Sequence, residues 1–338
     1  MVSHTMLVEA TAPGKMILFG EHSVVYRGPA VVLAIDRRAK VTASKRDDPH
    51  VYVDADNLGF SGYFEGDVYH PVRGKAWRGR NLAALNVAAR VTMEHIGVES
   101  GVSLKVRSMI PIAVGLGSSA AVCVATVSAV ERLFDAGLSR EEISKLAFQG
   151  ETIIHGKPSG VDNTVSSFGG VLSYERDVGI KRHNLESSTP FIIGNTRRKR
   201  STRKMVEGVA ALRERNPALM DAIIDAMGGI AEEGLVALLS NDIRRIGDLM
   251  NMNHGLLSAI GVSTMKLETL VHTARRNGAL GAKLTGAGGG GCMIAVAEED
   301  RMSAVEKAIR RRKSDSYRVQ LTDRGVESRW IDEEHASP

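Results

Sequence analysis

Apolar and polar positions alternate along several short segments of the chain and recur with helical spacing along longer ones. Alternation predicts β-strands, because successive side chains of a strand point to opposite faces, whereas the longer spacing predicts helices with one apolar face. The predicted strands are 7–11, 30–35, 39–43, 102–107, 169–174, 190–194, 292–297, 317–321 and 326–330. The predicted helices are 81–97, 120–134, 139–155, 204–215, 217–240, 242–258, 263–277 and 300–312.

This mixture of elements predicts an α+β protein with two lobes. A chain of 338 residues is longer than one hydrophobic core usually organises. Residues 46–80 are rich in Asp, Gly, Arg and His, and they predict hairpins and loops. We place the boundary near residues 176–190, which gives an N-terminal domain of residues 1–182 and a C-terminal domain of residues 183–338.

The composition is that of an ordinary globular protein, with 43% hydrophobic and 25% charged residues. The two cysteines, Cys123 and Cys292, show neither metal spacing nor a disulfide framework, which favours a cytoplasmic location. No signal peptide and no apolar run of about 20 residues is visible, so we expect no membrane association. The net charge of +5 favours anionic ligands.

One segment, Arg197–Lys204, is strongly basic. We call it the basic segment. It is compatible with a nucleic-acid patch, but only 4% of the chain is aromatic and no aromatic residues are interleaved with these charges. We therefore favour a solvated or anion-facing surface and expect no nucleic-acid partner.

A glycine-rich loop lies between the predicted strand 102–107 and the predicted helix 120–134. Gly115 and Gly117 allow a tight turn and a close approach to a ligand. The free N–H groups at the start of the following helix, together with the helix dipole, favour a bound phosphate. The predicted phosphate-binding residues are Pro111, Gly115, Leu116, Gly117, Ser118, Ser119 and Ala120.

Two further segments combine turns with charged side chains. Lys15 follows a Pro-Gly turn, and Glu21 and His22 follow Gly20, where a predicted strand breaks. Glu151 lies one turn before the end of its predicted helix, and Asp162 lies in the turn that follows. Two carboxylates at such a corner can divide the work, one binding Mg²⁺ and the other contacting a substrate hydroxyl.

A second glycine-rich segment, 283–292, reads Lys-Leu-Thr-Gly-Ala-Gly-Gly-Gly-Gly-Cys. So many glycines cost backbone entropy, which a close approach to a ligand or to another loop would justify.

These segments together resemble the three motifs of the GHMP small-molecule kinase family, in the same order and spread over most of the chain. The resemblance implies a ribosomal protein S5 domain 2-like N-terminal lobe, a ferredoxin-like C-terminal lobe and ATP-dependent phosphorylation of a small alcohol. Galactokinases of the family continue Gly-Glu-His with Thr-Asp-Tyr, whereas this chain continues with Ser23, Val24 and Val25. The acceptor is therefore expected to differ from galactose.

The resemblance also implies roles for particular residues. Asp162 matches the catalytic aspartate and Lys15 the active-site lysine, while Ser119 and Glu151 match the Mg²⁺ ligands. The residues matched to or expected at the acceptor site are Glu21, His22, Arg200, Thr202, Gly286, Ala287 and Gly288.

Two alternatives remain open at this point. One is a kinase of the same family with a different acceptor, and the other is a non-catalytic nucleotide- or nucleic-acid-binding protein that uses the basic segment. We expect a cytoplasmic protein that, if it assembles, forms a homodimer.

Overall fold

The chain folds around two β-sheets, as seen in a computed structural model that describes residues 6–55, 58–75, 79, 82–111, 114–156, 158–184, 189–198 and 201–332. The strands are β1 (Met6–Phe19), β2 (Ala30–Arg46), β3 (Val51–Ala55), β4 (Phe60–Glu65), β5 (Val68–Arg73), β6 (Gly101–Ser108), β7 (Val171–Glu175), β8 (Gly179–His183), β9 (Phe191–Asn195), β10 (Ala279–Thr285), β11 (Cys292–Ala297), β12 (Asp315–Val319) and β13 (Glu327–Asp332). The helices are α1 (Ser23–Tyr26), α2 (Ala83–His95), α3 (Ser118–Leu133), α4 (Arg140–His155), α5 (Val161–Phe168), α6 (Thr202–Arg215), α7 (Pro217–Leu239), α8 (Ile243–Ala259), α9 (Met265–Arg276) and α10 (Glu299–Arg311).

The first sheet has the strand order β13-β1-β2-β6-β3-β4-β5, with β7 paired to β2 and β8 paired to β7. The long antiparallel pair β1/β2 forms its centre, and its register shifts between Pro13 and Gly14. Proline has no amide hydrogen to give to a ladder, so an irregularity at this position is expected. Helix α3 packs against both long strands and is almost wholly buried, as its apolar sequence predicted.

The second sheet is antiparallel and has the order β10-β11-β9-β12. This is the order of a ferredoxin-like split βαβ sheet, so the expected architecture of the second lobe is confirmed. Its core includes apolar residues of α9, α10 and the inner strands, such as Leu270, Met302 and Ile294.

Strand β10 was not among the predicted strands. Gly278 and Gly281 interrupt its alternation, and Gly281 lies where α8 crosses the strand. A Cβ atom on Gly281 would lie 2.2 Å from the carbonyl oxygen of Gly247 in α8. The glycines thus weaken the sequence signal for a strand at the place where they allow a helix and a strand to touch.

The placement of Asp162 in a turn was wrong, because it lies in the first turn of α5. Gly160 precedes this helix in a left-handed conformation, with φ 80°. Val161, Val165 and Phe168 then form one buried face, which stabilises a short helix that has no propensity signal of its own.

The division into domains at residues 182 and 183 stays a prediction. The structure adds that β13 leaves the second lobe and pairs with β1 from Met6↔Asp332 to Thr11↔Glu327. The last strand therefore belongs to the first sheet. Among the described residues, no helix combines the length and apolarity that crossing a bilayer requires.

The close contact between α8 and β10 gives a test of the fold. Gly281→Ala should lower the free energy of unfolding by roughly 1–3 kcal/mol, because the new methyl group cannot fit beside Gly247 without moving the backbone. Gly255→Ala is the matched control, since Gly255 lies in α8, as Gly247 does, but has open space where a Cβ atom would lie. It should be neutral or stabilising by up to about 1 kcal/mol. Urea denaturation measures both, and equal stabilities for the two variants would contradict this account of the contact.

Candidate active site

The glycine-rich loop is held directly against strand β1. The amide of Lys15 donates to the carbonyl oxygen of Leu116 at 2.9 Å. Gly115 and Gly117 have φ values of 89° and 72°, and a Cβ on Gly117 would lie 2.7 Å from Cγ of Lys15. The loop therefore needs glycine both for its conformation and for its approach to β1.

Helix α3 starts at Ser118, immediately after this loop. Its first turn carries no acidic side chain, so the positive end of the helix is not neutralised from within that turn. The hydroxyl of Ser118 lies 3.5 Å from that of Ser108 at the end of β6. This arrangement confirms the predicted order of strand, loop and helix N-terminus, which suits an anionic ligand.

Ser119 and Glu151 form an oxygen-rich pair beside this helix start. The Ser119 hydroxyl donates to Oε1 of Glu151 at 2.7 Å, and Glu151 is only 2% exposed. No group of three or more potential metal-ligating His, Cys, Asp or Glu side chains occurs within the described ranges. Two oxygen ligands nevertheless suit Mg²⁺, which commonly takes one or two protein ligands and completes its shell with phosphates and water.

Asp162 faces Lys15 across the same region. Nζ of Lys15 lies 3.0 Å from Oδ1 of Asp162, and the lysine side chain is 7% exposed while the aspartate is 35% exposed. The next residue, Asn163, anchors α5 to α4 by donating from Nδ2 to the carbonyl and hydroxyl oxygens of Ser144, both at 2.9 Å. The aspartate is thus fixed in position yet open to a substrate.

Glu21 and His22 connect the first lobe to the second. The carboxylate of Glu21 forms an ion pair with Lys283 of β10, and both side chains are fully buried. Burial raises the pKa of Glu21 and lowers that of Lys283, and the attraction between the two charges opposes both shifts. Nε2 of His22 lies 3.0 Å from the carbonyl oxygen of Ala287.

The second glycine-rich segment makes close contacts with a loop and a helix of its own lobe. Cβ atoms on Gly288 and Gly289 would lie 2.2 Å from the carbonyl oxygen of Val262 and 2.6 Å from Sδ of Met205. Gly286 also has a positive φ of 75°. The expectation that these glycines allow a close approach is confirmed for Gly288 and Gly289. The groups that they approach are other residues of the same chain.

The basic segment is only partly described, and Arg200 lies outside the described residues. Nε of Arg197 donates to Asp315 at 3.1 Å, and Nε of Arg203 donates to Glu207 at 2.7 Å. Thr202 is the exposed first residue of α6. These ion pairs reduce the free positive charge that an anionic partner could use.

Three residues around the site were missed in the sequence: Ser108, Ser144 and Asn163. Their hydrogen bonds join different elements, over 10 and 19 positions, and depend on how those elements pack, so spacing alone carries no signal for them. The partner of Lys283 was missed for the same reason, since Glu21 lies 262 positions away.

Comparisons with known proteins identify the family of the chain. The family models for the GHMP kinase N-terminal and C-terminal domains match residues 81–170 and 235–315. The chain belongs to the GHMP kinase family.

Within the GHMP kinase family, the proteins similar to this chain include mevalonate kinases. The mevalonate kinase of Pyrococcus abyssi is 43% identical, over 86% of this chain and 89% of that protein. That of Thermococcus sibiricus is 41% identical, over 90% and 93%. The crystal structure of the mevalonate kinase of L. major in complex with R-mevalonate superimposes with a TM-score of 0.81 and 29% identity, covering 93% of this chain and 96% of that one.

A histidine behind β10 supports the strand that carries Lys283. Nδ1 of His254 accepts a hydrogen bond from the Leu284 amide at 3.3 Å, and Nε2 lies 3.4 Å from Glu268. Since Nδ1 accepts, the ring hydrogen belongs on Nε2. Burial lowers the pKa of His254 to about 4, against the opposing effect of Glu268, so the ring is neutral near neutral pH.

This histidine should make stability depend on pH in a defined direction. An unfolded histidine titrates near 6.5 and the folded one near 4, so below about pH 6.5 the unfolded state binds the extra proton. The stability advantage of the native protein over His254→Gln should therefore shrink by up to about 3 kcal/mol as the pH falls from about 7 to about 4. Urea denaturation across this range measures it. Parallel stability curves for the two proteins would contradict the neutral buried ring.

Proposed function

We propose that the chain is a mevalonate kinase, which transfers the γ-phosphoryl group of ATP to the C5 hydroxyl of mevalonate and so supplies 5-phosphomevalonate to isoprenoid biosynthesis. The observation that carries the proposal is the ion pair between Lys15 and Asp162 at 3.0 Å, in which Lys15 lies on β1, the strand that also holds the glycine-rich loop. The similarity to mevalonate kinases along nearly the whole chain supports mevalonate as the acceptor.

Phosphoryl transfer requires mainly alignment and charge stabilisation. The N–H groups after Gly115 are suited to hold the β- and γ-phosphates of ATP. Asp162 then orients the C5 hydroxyl and accepts its proton as the new O–P bond forms. The bond between the γ-phosphorus and the β–γ bridging oxygen breaks, and ADP leaves. Lys15 stabilises the ionised Asp162 and the charge on the transferring group.

Ser119 and Glu151 would hold Mg²⁺. When bound, this ion neutralises the negative charge of the phosphates. Their own contribution is to present two oxygens at the start of α3, already aligned by the 2.7 Å hydrogen bond between them.

The acceptor site is proposed to lie between the two lobes, near Glu21, His22 and the backbone of Gly286–Gly288. Thr202 and Arg200 are proposed to complete it, with the guanidinium receiving the carboxylate of mevalonate through paired hydrogen bonds. A cytoplasmic location and assembly as a homodimer belong to the same proposal.

The aspartate gives the most direct test of the mechanism. Asp162→Asn should lower kcat by roughly 10²–10⁴ while leaving ATP binding nearly intact, because the amide cannot accept the hydroxyl proton. Asp177→Asn, in the exposed turn between β7 and β8, is the control for loss of one surface charge. Steady-state assays coupled to ADP release give kcat and both KM values. Near-normal turnover in Asp162→Asn would remove this residue from the mechanism.

Glu151 gives a separate test of the metal site. Glu151→Gln should raise the Mg²⁺ concentration needed for half-maximal rate, because a neutral amide is a poorer ligand for a hard cation. Titration of Mg²⁺ at saturating ATP measures this, and Glu141→Gln, exposed at the start of the same helix, is the control. An unchanged half-saturation in Glu151→Gln argues against the metal role.

A screen of acceptors separates the proposed function from its alternatives. The protein with Mg·ATP is offered mevalonate and 5-phosphomevalonate, and the position of the new phosphate is read by ³¹P and ¹H NMR. Phosphate on the C5 oxygen supports a mevalonate 5-kinase, whereas phosphate on C3, or preference for 5-phosphomevalonate, indicates a related kinase. No turnover with either alcohol, combined with salt-sensitive binding to RNA or DNA, would instead favour a nucleic-acid-binding protein.

A further inference from the structure

The ion pair between Glu21 and Lys283 is the most deeply buried pair of charges among the described contacts between the lobes. The accessible fraction of both side chains is zero, and Nζ of Lys283 donates to Oε1 of Glu21. Burying two charges is costly, and well-packed apolar residues often serve stability as well or better. The pair is therefore explained better by what it positions than by the stability it adds.

The pair holds a short stretch of unusual backbone. Gly20 has φ 95°, and a Cβ there would lie 2.4 Å from Cα of Ala30, so this position is restricted to glycine. His22 has φ 62°, a conformation that non-glycine residues rarely adopt without support. Glu21 lies between these two residues. Its bond to Lys283 ties the centre of the turn to β10 and so supports the conformation of His22.

Other contacts join the same two segments. The Thr285 hydroxyl donates to the carbonyl oxygen of Ile17 at 2.8 Å, and Nε2 of His22 lies 3.0 Å from the Ala287 carbonyl. The ammonium of Lys283 also lies 5.8 Å from the ring centre of Phe19. Lys283 thus belongs to a set of contacts that fixes the end of β1 against the turn between β10 and β11.

A hydrogen bond to α8 also holds the part of β10 that carries Lys283. Its neighbour Leu284 donates its amide to His254, whose ring is neutral near neutral pH and so adds no second positive charge beside the ammonium. The same strand, β1, also carries Lys15 a few residues before Phe19, and Lys15 pairs with Asp162. Strand β1 therefore connects the lysine that pairs with Asp162 to the turn that Lys283 holds through Glu21.

We infer that Lys283 is a positioning residue for the acceptor side of the kinase site, acting through Glu21 and His22. The inference rests on the proposed function and adds to it a residue that does not itself touch the substrate. In this inference Glu21 does not contact the acceptor directly, because the carboxylate of Glu21 binds Lys283 of β10. The nucleotide side depends on the glycine loop and β1 near Lys15, so it should be affected little.

The test compares Lys283→Met, Glu21→Gln and the double variant with the native protein. Lys283→Met should raise the KM for mevalonate, or lower kcat/KM for it, by about 10- to 100-fold, the scale of a small displacement of reacting groups. The KM for ATP should change by less than about twofold, since the loop that holds phosphate stays in place. The double variant should recover much of the lost Tm, because no unpaired charge remains buried, but it should keep the defect toward mevalonate.

Val305→Ala is the control for a loss of stability alone, since Val305 is a fully buried residue of α10 in the same lobe. All variants are assayed at a temperature where each is folded by circular dichroism. Native values of both KM and kcat/KM for mevalonate in folded Lys283→Met, or equal defects toward both substrates that match those of Val305→Ala, would overturn the inference. If Lys283→Met does not fold, the double variant and Glu21→Gln decide the question by the same comparison.

A native protein that is inactive with mevalonate refutes the proposed function and this inference together, whereas an active native protein with an unaffected Lys283→Met refutes only the inference.

Discussion

The hydrogen bond from the Lys15 amide to the Leu116 carbonyl sets the distance between β1 and the glycine loop, and the candidate site depends on it. At 2.9 Å this contact leaves no room for a side chain at Gly117, where the Lys15 side chain passes. The same strand accepts a hydrogen bond from Ser166 of α5 at the Pro13 carbonyl, at 2.8 Å. The glycine-rich loop, Lys15 and the helix that carries Asp162 are therefore all held against β1. Phosphoryl transfer requires such fixed relative positions of the reacting groups.

Glycines allow the two lobes to approach each other closely. A Cβ on Gly234 of α7 would lie 2.3 Å from the ring of Phe19, and one on Gly28 would lie 3.0 Å from Cα of Gly228. Helix α7 can therefore lie almost against the backbone of the first lobe. Each of the two glycines in α7 weakens the isolated helix by about 0.5–1 kcal/mol relative to alanine, which the packing of Phe19 and its neighbours offsets.

Charge is distributed differently at the centre of the molecule and at its surface. Asp162 keeps one third of its side-chain surface accessible beside a nearly buried lysine, whereas Glu21 and Lys283 have none. The first pair is accessible to a bound molecule, whereas the second is closed to solvent and can only fix the positions of the segments that carry it. Around the basic segment, pairs such as Arg203 with Glu207 are solvated and contribute little to stability.

The sequence by itself determined the α+β class, most elements of regular structure and the motifs that carry the chemistry. Local patterns were sufficient there, because a glycine loop before an apolar helix, or a capping box at Ser139, acts within a few residues. Strand β10 and helix α5 escaped prediction, since Gly281 and Gly160 serve contacts and conformations that break the local pattern. Only the tertiary structure decided that Lys15 meets Asp162, that Asn163 anchors α5, and that Glu21 meets Lys283. These pairings depend on how the sheets and helices pack, and the spacing of residues along a chain holds no information about which distant side chains will face each other.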